Sequence, residues 1–103
     1  MRVKVKRLKP QDAPIAVDVV KTFAEKVVSL EYMKRVLTNP ANYLIVAYVE
    51  DNLAGFLLAY ALERLKEDSH KMFIYEIEVG GGYRRKGVGT ALISYVRGIV
   101  RRE

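Results

Sequence analysis

Cysteine is absent from all 103 positions. That absence excludes a disulfide-stapled scaffold, a thiolate zinc site and a cysteine nucleophile together. Histidine occurs once, at His70, which leaves no site built from several histidines and tells against a Ser-His-Asp triad. Long apolar runs are also missing. Tyr43 to Val49 and Leu53 to Leu62 fall short of the roughly 20 residues a membrane helix needs, and Glu50-Asp51-Asn52 separates them. The basic start, in which Arg2, Lys4 and Lys6 alternate with Val3 and Val5, has no apolar block behind it and is no signal peptide. The expected location is the cytoplasm.

Half of the residues are hydrophobic, enough for a core, and the length fits a single domain over residues 1–103. A chain this short buries only about 60–65% of its unfolded surface, so modest stability is expected unless it dimerises. The net charge of +6 is shared evenly between the two halves of the chain, and neither is a basic tail. Local clusters occur at Arg2 to Lys9, at Arg84-Arg85-Lys86, and at Arg97 with Arg101-Arg102; the middle one lies in a run of glycines, Gly80 to Gly82 before it and Gly87 and Gly89 after it.

Alternation over residues 2–8 predicts a strand with one wet face. Asp12 ahead of Ala13-Pro14 predicts a helix start, with Asp12 capping free N–H groups, and the apolar spacing from Ile15 carries that helix to about Val28. Ser29 caps a second, shorter helix through Leu30, Met33 and Leu37, which stops before Pro40. Residues 43–49 and 53–65 predict a hairpin turning at Asp51-Asn52, with Gly55 marking a bulge or a close backbone approach. Residues 72–79 form a further strand, and a helix follows from Arg84 to about Arg102, burying Val88, Ala91, Leu92, Tyr95, Val96 and Ile99. No repeat or linker interrupts this order. The fold class it predicts is α+β (α/β), a largely antiparallel sheet flanked by helices.

The chemically informative segment is Val79-Gly80-Gly81-Gly82-Tyr83-Arg84-Arg85-Lys86-Gly87-Val88-Gly89-Thr90. Glycines at a helix start let free N–H groups approach an anion, and three cations surround them, so the segment describes a phosphate or pyrophosphate site. A Walker loop would need its lysine after the last glycine, and a dinucleotide fingerprint would need a following parallel unit; neither fits. A strand-to-helix turn with a wet basic face is the plain alternative.

Arg84-Arg85-Lys86-Gly87-Val88-Gly89 matches the Gln/Arg-x-x-Gly-x-Gly/Ala signature, and the chain here resembles the GNAT N-acetyltransferases. The likeness extends to the strand before the signature, to the helix with Ala91-Leu92-Ile93 after it, to the preceding hairpin, and to Pro10-Gln11-Asp12 after the opening strand. The runs Met72 to Val79 and Leu53 to Tyr60 look most like the aminoglycoside 3-N-acetyltransferases. The resemblance implies acetyl-CoA as cosubstrate, with Arg84, Arg85, Lys86, Gly87, Val88, Gly89 and Thr90 around its pyrophosphate and Ile77, Glu78 and Val79 along its pantetheine arm. It implies Glu76, which follows Tyr75, as the base that takes a proton from a small-molecule primary amine, an aminoglycoside among the candidates. Glu76 and Glu78, two apart, share a strand face. Glu63, Glu67, Asp68, Glu76 and Glu78 supply acids around the last strand pair that suit a polycation.

Family members continue with a splayed strand, a helix, a closing hairpin and a tyrosine that protonates the leaving thiolate. This sequence ends before them, so it is expected to be a fragment, to borrow its second wall from a partner subunit, or to lack activity. The open sheet edge invites a homodimer. Two other functions compete: a non-catalytic CoA-binding or interaction module, and a small basic nucleic-acid-binding domain. The latter accounts for the charge but leaves the glycine turn unexplained and lacks an aromatic-basic motif.

Overall fold

The computed structural model describes residues 2–102. Met1 and Glu103, the two ends of the expected domain, lie outside the described residues, as does the side chain of Arg102 in the third basic cluster. Four strands, β1 (Val3–Arg7), β2 (Asn42–Val49), β3 (Asn52–Glu63) and β4 (His70–Val79), pair antiparallel in that order. Because side chains alternate across a sheet, the apolar runs of β2 and β3 feed both faces. Ile45, Ala47, Leu57 and Ala59 pack against Leu92, Val96 and Ile99 of helix α3 (Val88–Arg102). Leu44, Val46 and Phe56 pack on the other side against α1 (Ala13–Ala24) and α2 (Leu30–Thr38), which bring Ala16, Val19, Met33 and Leu37. The result is the α+β sheet between helices that the pattern predicts.

Several boundaries differ from expectation. The first helix ends at Ala24, because Glu25 takes a left-handed φ of 54°. Nothing in the sequence marks that stop, since glycine is the usual residue there, and Val27 is left 87% exposed. Asp12 does not cap α1 with its side chain; its carboxylate accepts the Lys9 N–H at 2.9 Å and pairs with Lys6 Nζ at 3.4 Å, fastening the 3-10 turn Pro10–Asp12 instead. Ser29 does cap α2, accepting the Tyr32 N–H at 3.0 Å. The hairpin turns at Glu50-Asp51, with φ of 50° and 67°, and Asn52 already pairs with Val49. Two residues of positive φ are what a two-residue turn needs to follow the strand twist. The last helix begins at Val88 rather than Arg84, since residues 81–87 are taken up by a 3-10 turn and a tight bend.

The wet face expected along Arg2 to Lys9 is only partly wet. Lys4 and Lys6 are exposed, while Arg7 alternates to the α3 side, where its guanidinium lies 3.7 Å from the Tyr43 ring centroid and donates to the Pro40 and Asn42 carbonyls.

Gly55 combines both properties the sequence allows. Ala47 pairs with Gly55 and Tyr48 with Leu53, so Ala54 is the extra residue of a bulge. A Cβ at Gly55 would sit 2.7 Å from the Glu78 carbonyl oxygen and 3.2 Å from Val88 Cγ1. Backbone cannot yield as a flexible side chain does, so Gly55→Ala should lower the unfolding free energy by about 1–3 kcal/mol. Urea unfolding measures this, and an unchanged midpoint would contradict so tight a contact.

Candidate active site

Strand β4 carries the site, and its register decides which group points where. The Gly80 N–H donates to the Ala54 carbonyl at 2.8 Å, and Gly55 stands opposite Val79. In an antiparallel ladder the main-chain groups of successive residues alternate between partner and open edge. Glu78 therefore turns its N–H and C=O toward β3, while Ile77 and Val79 turn theirs to the outer edge. The Val79 carbonyl accepts there from Arg84 Nε at 3.5 Å. Among the described residues no strand pairs with this edge, and it exposes Phe73, Ile74, Tyr75 and Ile77.

Past Val79 the chain tightens. Arg85 and Gly87 adopt φ of 62° and 82°, with residues of ordinary sign on either side, and such alternation curls a backbone so that its N–H groups converge. The first hydrogen bond of α3 runs from the Ala91 N–H to the Gly87 carbonyl at 2.9 Å. The N–H groups of Val88, Gly89 and Thr90 thus belong to the unbonded first turn, at the positive end of the helix dipole. They open onto a depression of about 250 Å³ lined also by Val79, Tyr83, Arg84 and Arg85. Lys86 does not line it. Val88 is buried, so only its main chain can serve a ligand. Gly87 is required by its left-handed φ, and a Cβ at Gly89 would meet nothing nearer than Val79 Cγ2 at 3.8 Å.

On the opposite face Glu76 and Glu78 reach a cavity of about 280 Å³ between the sheet and α1 and α2. Its floor includes Leu44, Phe56, Leu58 and Tyr60, and its roof Val19, Val20, Phe23, Tyr32 and Met33. The Phe23 and Phe56 rings touch across it, with centroids 5.2 Å apart. Tyr60 packs its ring against Tyr75 at 5.6 Å. Burial, followed by the neighbouring Tyr75, Tyr32 and Glu76, raises the Tyr60 pKa above the ordinary tyrosine value, so its phenol stays a hydrogen-bond donor across the neutral range.

Of the residues predicted from sequence, the fold gathers Arg84, Arg85, Gly87, Val88, Gly89 and Thr90 around one depression, and Glu76 with Glu78 in one cavity. The other acids lie elsewhere. Glu63 ends β3 and Glu67 pairs with Arg64 in the loop beyond it. Asp68 lines a separate hollow with His70. Sequence reasoning missed Tyr60, Tyr32 and Phe23 as lining, although Phe56, Leu58 and Tyr60 alternate on one face. It also missed the bulge at Tyr75, which no glycine announces: Leu58 pairs with Glu76 but Ala59 with Ile74.

With this geometry in view, comparison with known proteins gives a family. The acetyltransferase (GNAT) family model matches residues 13–103. The chain belongs to that family, whose members move an acetyl group, generally from acetyl-CoA, onto an amine. No curated protein matches it in sequence. Among solved structures it is similar to an aminoglycoside acetyltransferase from an uncultured soil metagenomic sample, with a TM-score of 0.89 and 24% identity over 96% of this chain and 72% of that one. A second such enzyme, solved in complex with sisomicin, gives 0.88 and 23% over 97% and 70%. A ribosomal-protein-alanine N-acetyltransferase from Brucella melitensis biovar Abortus 2308 gives 0.83 and 24% over 99% and 74%. At such identities the likeness is one of fold, and it does not speak for the 3-N position. Among the described residues no helix is long and apolar enough to cross a membrane.

The Tyr60 environment carries a pH signature. Its folded pKa lies above the unfolded one, so the native state holds a proton that the unfolded state releases near pH 10. Stability from this group is complete below about pH 10 and is lost as pH rises through the folded value. Chemical unfolding between neutral and strongly alkaline pH should show a shallower loss in Tyr60→Phe than in wild type. Identical slopes would mean that Tyr60 is as freely solvated as any surface tyrosine.

Proposed function

We propose that this chain is an acetyl-CoA-dependent N-acetyltransferase whose Val79–Thr90 segment holds the cosubstrate's pyrophosphate and whose Glu76 takes a proton from a primary amine. The observation that carries this reading is the continuity of the site. The outward main chain of Ile77 and Val79 runs directly into a turn whose helix-start N–H groups are unbonded and flanked by Arg84 and Arg85. A multiply charged phosphate suits those donors and cations. Amide groups of a pantetheine arm suit the strand edge, which they can extend as an added strand does. Acetyl-CoA supplies the acetyl group as a thioester.

An amine arrives as an ammonium ion and must lose a proton before its nitrogen can attack a carbonyl. Glu76 lies on the cavity face of β4, one residue from the edge formed by Ile77, and can accept that proton. Glu78 shares the cavity and steadies the positive charge before transfer. Aminoglycosides enter as candidate acceptors through the structural neighbours, one of which holds sisomicin. The open edge of β4 is also where a second copy would pair, making a homodimer. The reaction draws on acetyl-CoA of the cytoplasm, which is the location this reading assigns.

A non-catalytic CoA-binding module would keep the turn and make no use of Glu76. A nucleic-acid reading is weakened by the dispersal of the basic clusters: Lys4 and Lys6 flank the sheet on the α1 and α2 side, and Arg7 is held on Tyr43.

Gly89→Val places a branched side chain where N–H groups must meet phosphate, while the fold has room for its Cβ. Calorimetry should show CoA affinity down by about ten-fold or more in a folded variant. Unchanged affinity would take the pyrophosphate away from this turn.

Glu76→Gln keeps the shape of the carboxylate and removes its basicity. Thiol release with a responsive amine should fall by about 100-fold or more, with CoA binding retained. Turnover at the wild-type rate would exclude Glu76 as the base and favour a module in which it is only a surface acid.

A further inference from the structure

The two sides of the acceptor cavity differ in chemistry, and the sheet register says how. Leu44 of β2 stands opposite Leu58 of β3, and Leu58 opposite Glu76 of β4. One row on, Phe56 stands opposite Glu78. Neighbouring strands are about 4.8 Å apart, so the floor passes from carboxylate to aliphatic and aromatic side chains within about 5–10 Å. The roof over those rows, Val19, Val20 and Phe23 of α1, is apolar as well.

We infer that the acceptor is a primary amine on a short arm attached to a single apolar ring, and not a polyhydroxylated polycation. The inference rests on the reading above that the amine is held at Glu76. An ammonium placed at the β4 carboxylates has its body directed over Leu58 toward Leu44, beneath Phe23. A volume of about 280 Å³ sits at the lower limit of small-molecule pockets, which run from about 300 to 1,000 Å³, and holds one ring with its arm. Sugar hydroxyls laid over Leu44, Phe56 and Leu58 would lose water above side chains that offer no hydrogen bond; the polar lining lies a row beyond, at Tyr60 and at Asn42, whose amide already donates to the Val36 carbonyl. Further ammonium groups would need further acids, and Glu63, Glu67 and Asp68 lie toward the far end of the β3 and β4 hairpin.

The test uses the full chain with phenylethylamine, glucosamine and sisomicin as probes. Proton–nitrogen correlation spectra read binding, and thiol release in the presence of acetyl-CoA reads turnover. Phenylethylamine should move the signals of Phe23, Leu44 and Leu58, and should be acetylated with a kcat/KM about ten-fold or more above either sugar. Leu58→Asn should cut its affinity about ten-fold while leaving CoA affinity unchanged. If that variant does not fold, Val20→Asn on the roof asks the same question from a partly exposed position. Equal or better binding of glucosamine or sisomicin, phenylethylamine signals confined to another surface, or no binding of any amine overturns the inference. Calorimetry with CoA separates the two levels. A chain that binds CoA but prefers the sugars loses only the inference, whereas one that binds no CoA loses the catalytic reading, and the spectra still decide the chemistry of the cavity.

Discussion

Where β3 passes β4 at Gly55, the missing side chain lets the Glu78 carbonyl come within 2.7 Å of the space a Cβ would fill. The site depends on that approach. It brings Val79 against Gly55, puts the Gly80 N–H on the Ala54 carbonyl, and seats Val88 Cγ1 beside the same position. The last residue of the strand and the first of α3 are thereby tied to one point of the sheet, and the bend between them spans a fixed gap. A phosphate cradle built from main chain needs this, because N–H groups can be aimed only by fixing the backbone that carries them. Burial of Val88 holds the helix start down while its own N–H stays free.

The second constraint is parity along β4. Ile74 stands opposite Ala59, on the α3 face, and strict alternation from there would send Glu76 to the same face. The extra residue at Tyr75 reverses the count, so that Glu76 stands opposite Leu58 and enters the cavity under α1 and α2. One bulge therefore puts the acids on the cavity side and leaves Ile77 and Val79 with main chain at the edge. It also lays the Tyr75 ring on Tyr60, one of the groups that keeps the Tyr60 phenol protonated.

What could be foreseen from sequence follows from the range over which each signal acts. The alternation of β1 and the Ser29 cap are local, and each falls where its residues predict, while the glycine and arginine turn runs four residues further than expected before α3 begins. Gly55 was legible as a bulge or a close approach because glycine in a strand has few other uses. The stop at Glu25 and the one-residue shift that puts Glu50 rather than Asn52 in the hairpin turn place glutamates at positive φ, which their own propensity does not announce. The cavity was the least legible part. Its lining comes from α1, α2 and three strands, brought together by registers that the order of residues does not contain.

The outer edge of β4 has two demands on it, and the bulge divides them. From Ile77 to Val79 the edge leads into the glycine and arginine turn, and on the function proposed above a strand pairing there would compete with a pantetheine arm for the same N–H and C=O groups. From Phe73 to Tyr75 the edge carries large apolar side chains, between 40% and 64% exposed, which have no use for an anionic cosubstrate. Exposed apolar edges invite pairing by another strand. A strand that joined β4 across Phe73 and Ile74 would meet the extra residue at Tyr75, lose register, and part from β4 there. The bulge that directs Glu76 into the cavity would then also stop an incoming strand short of Ile77, leaving the outward N–H and C=O groups of Ile77 and Val79 open.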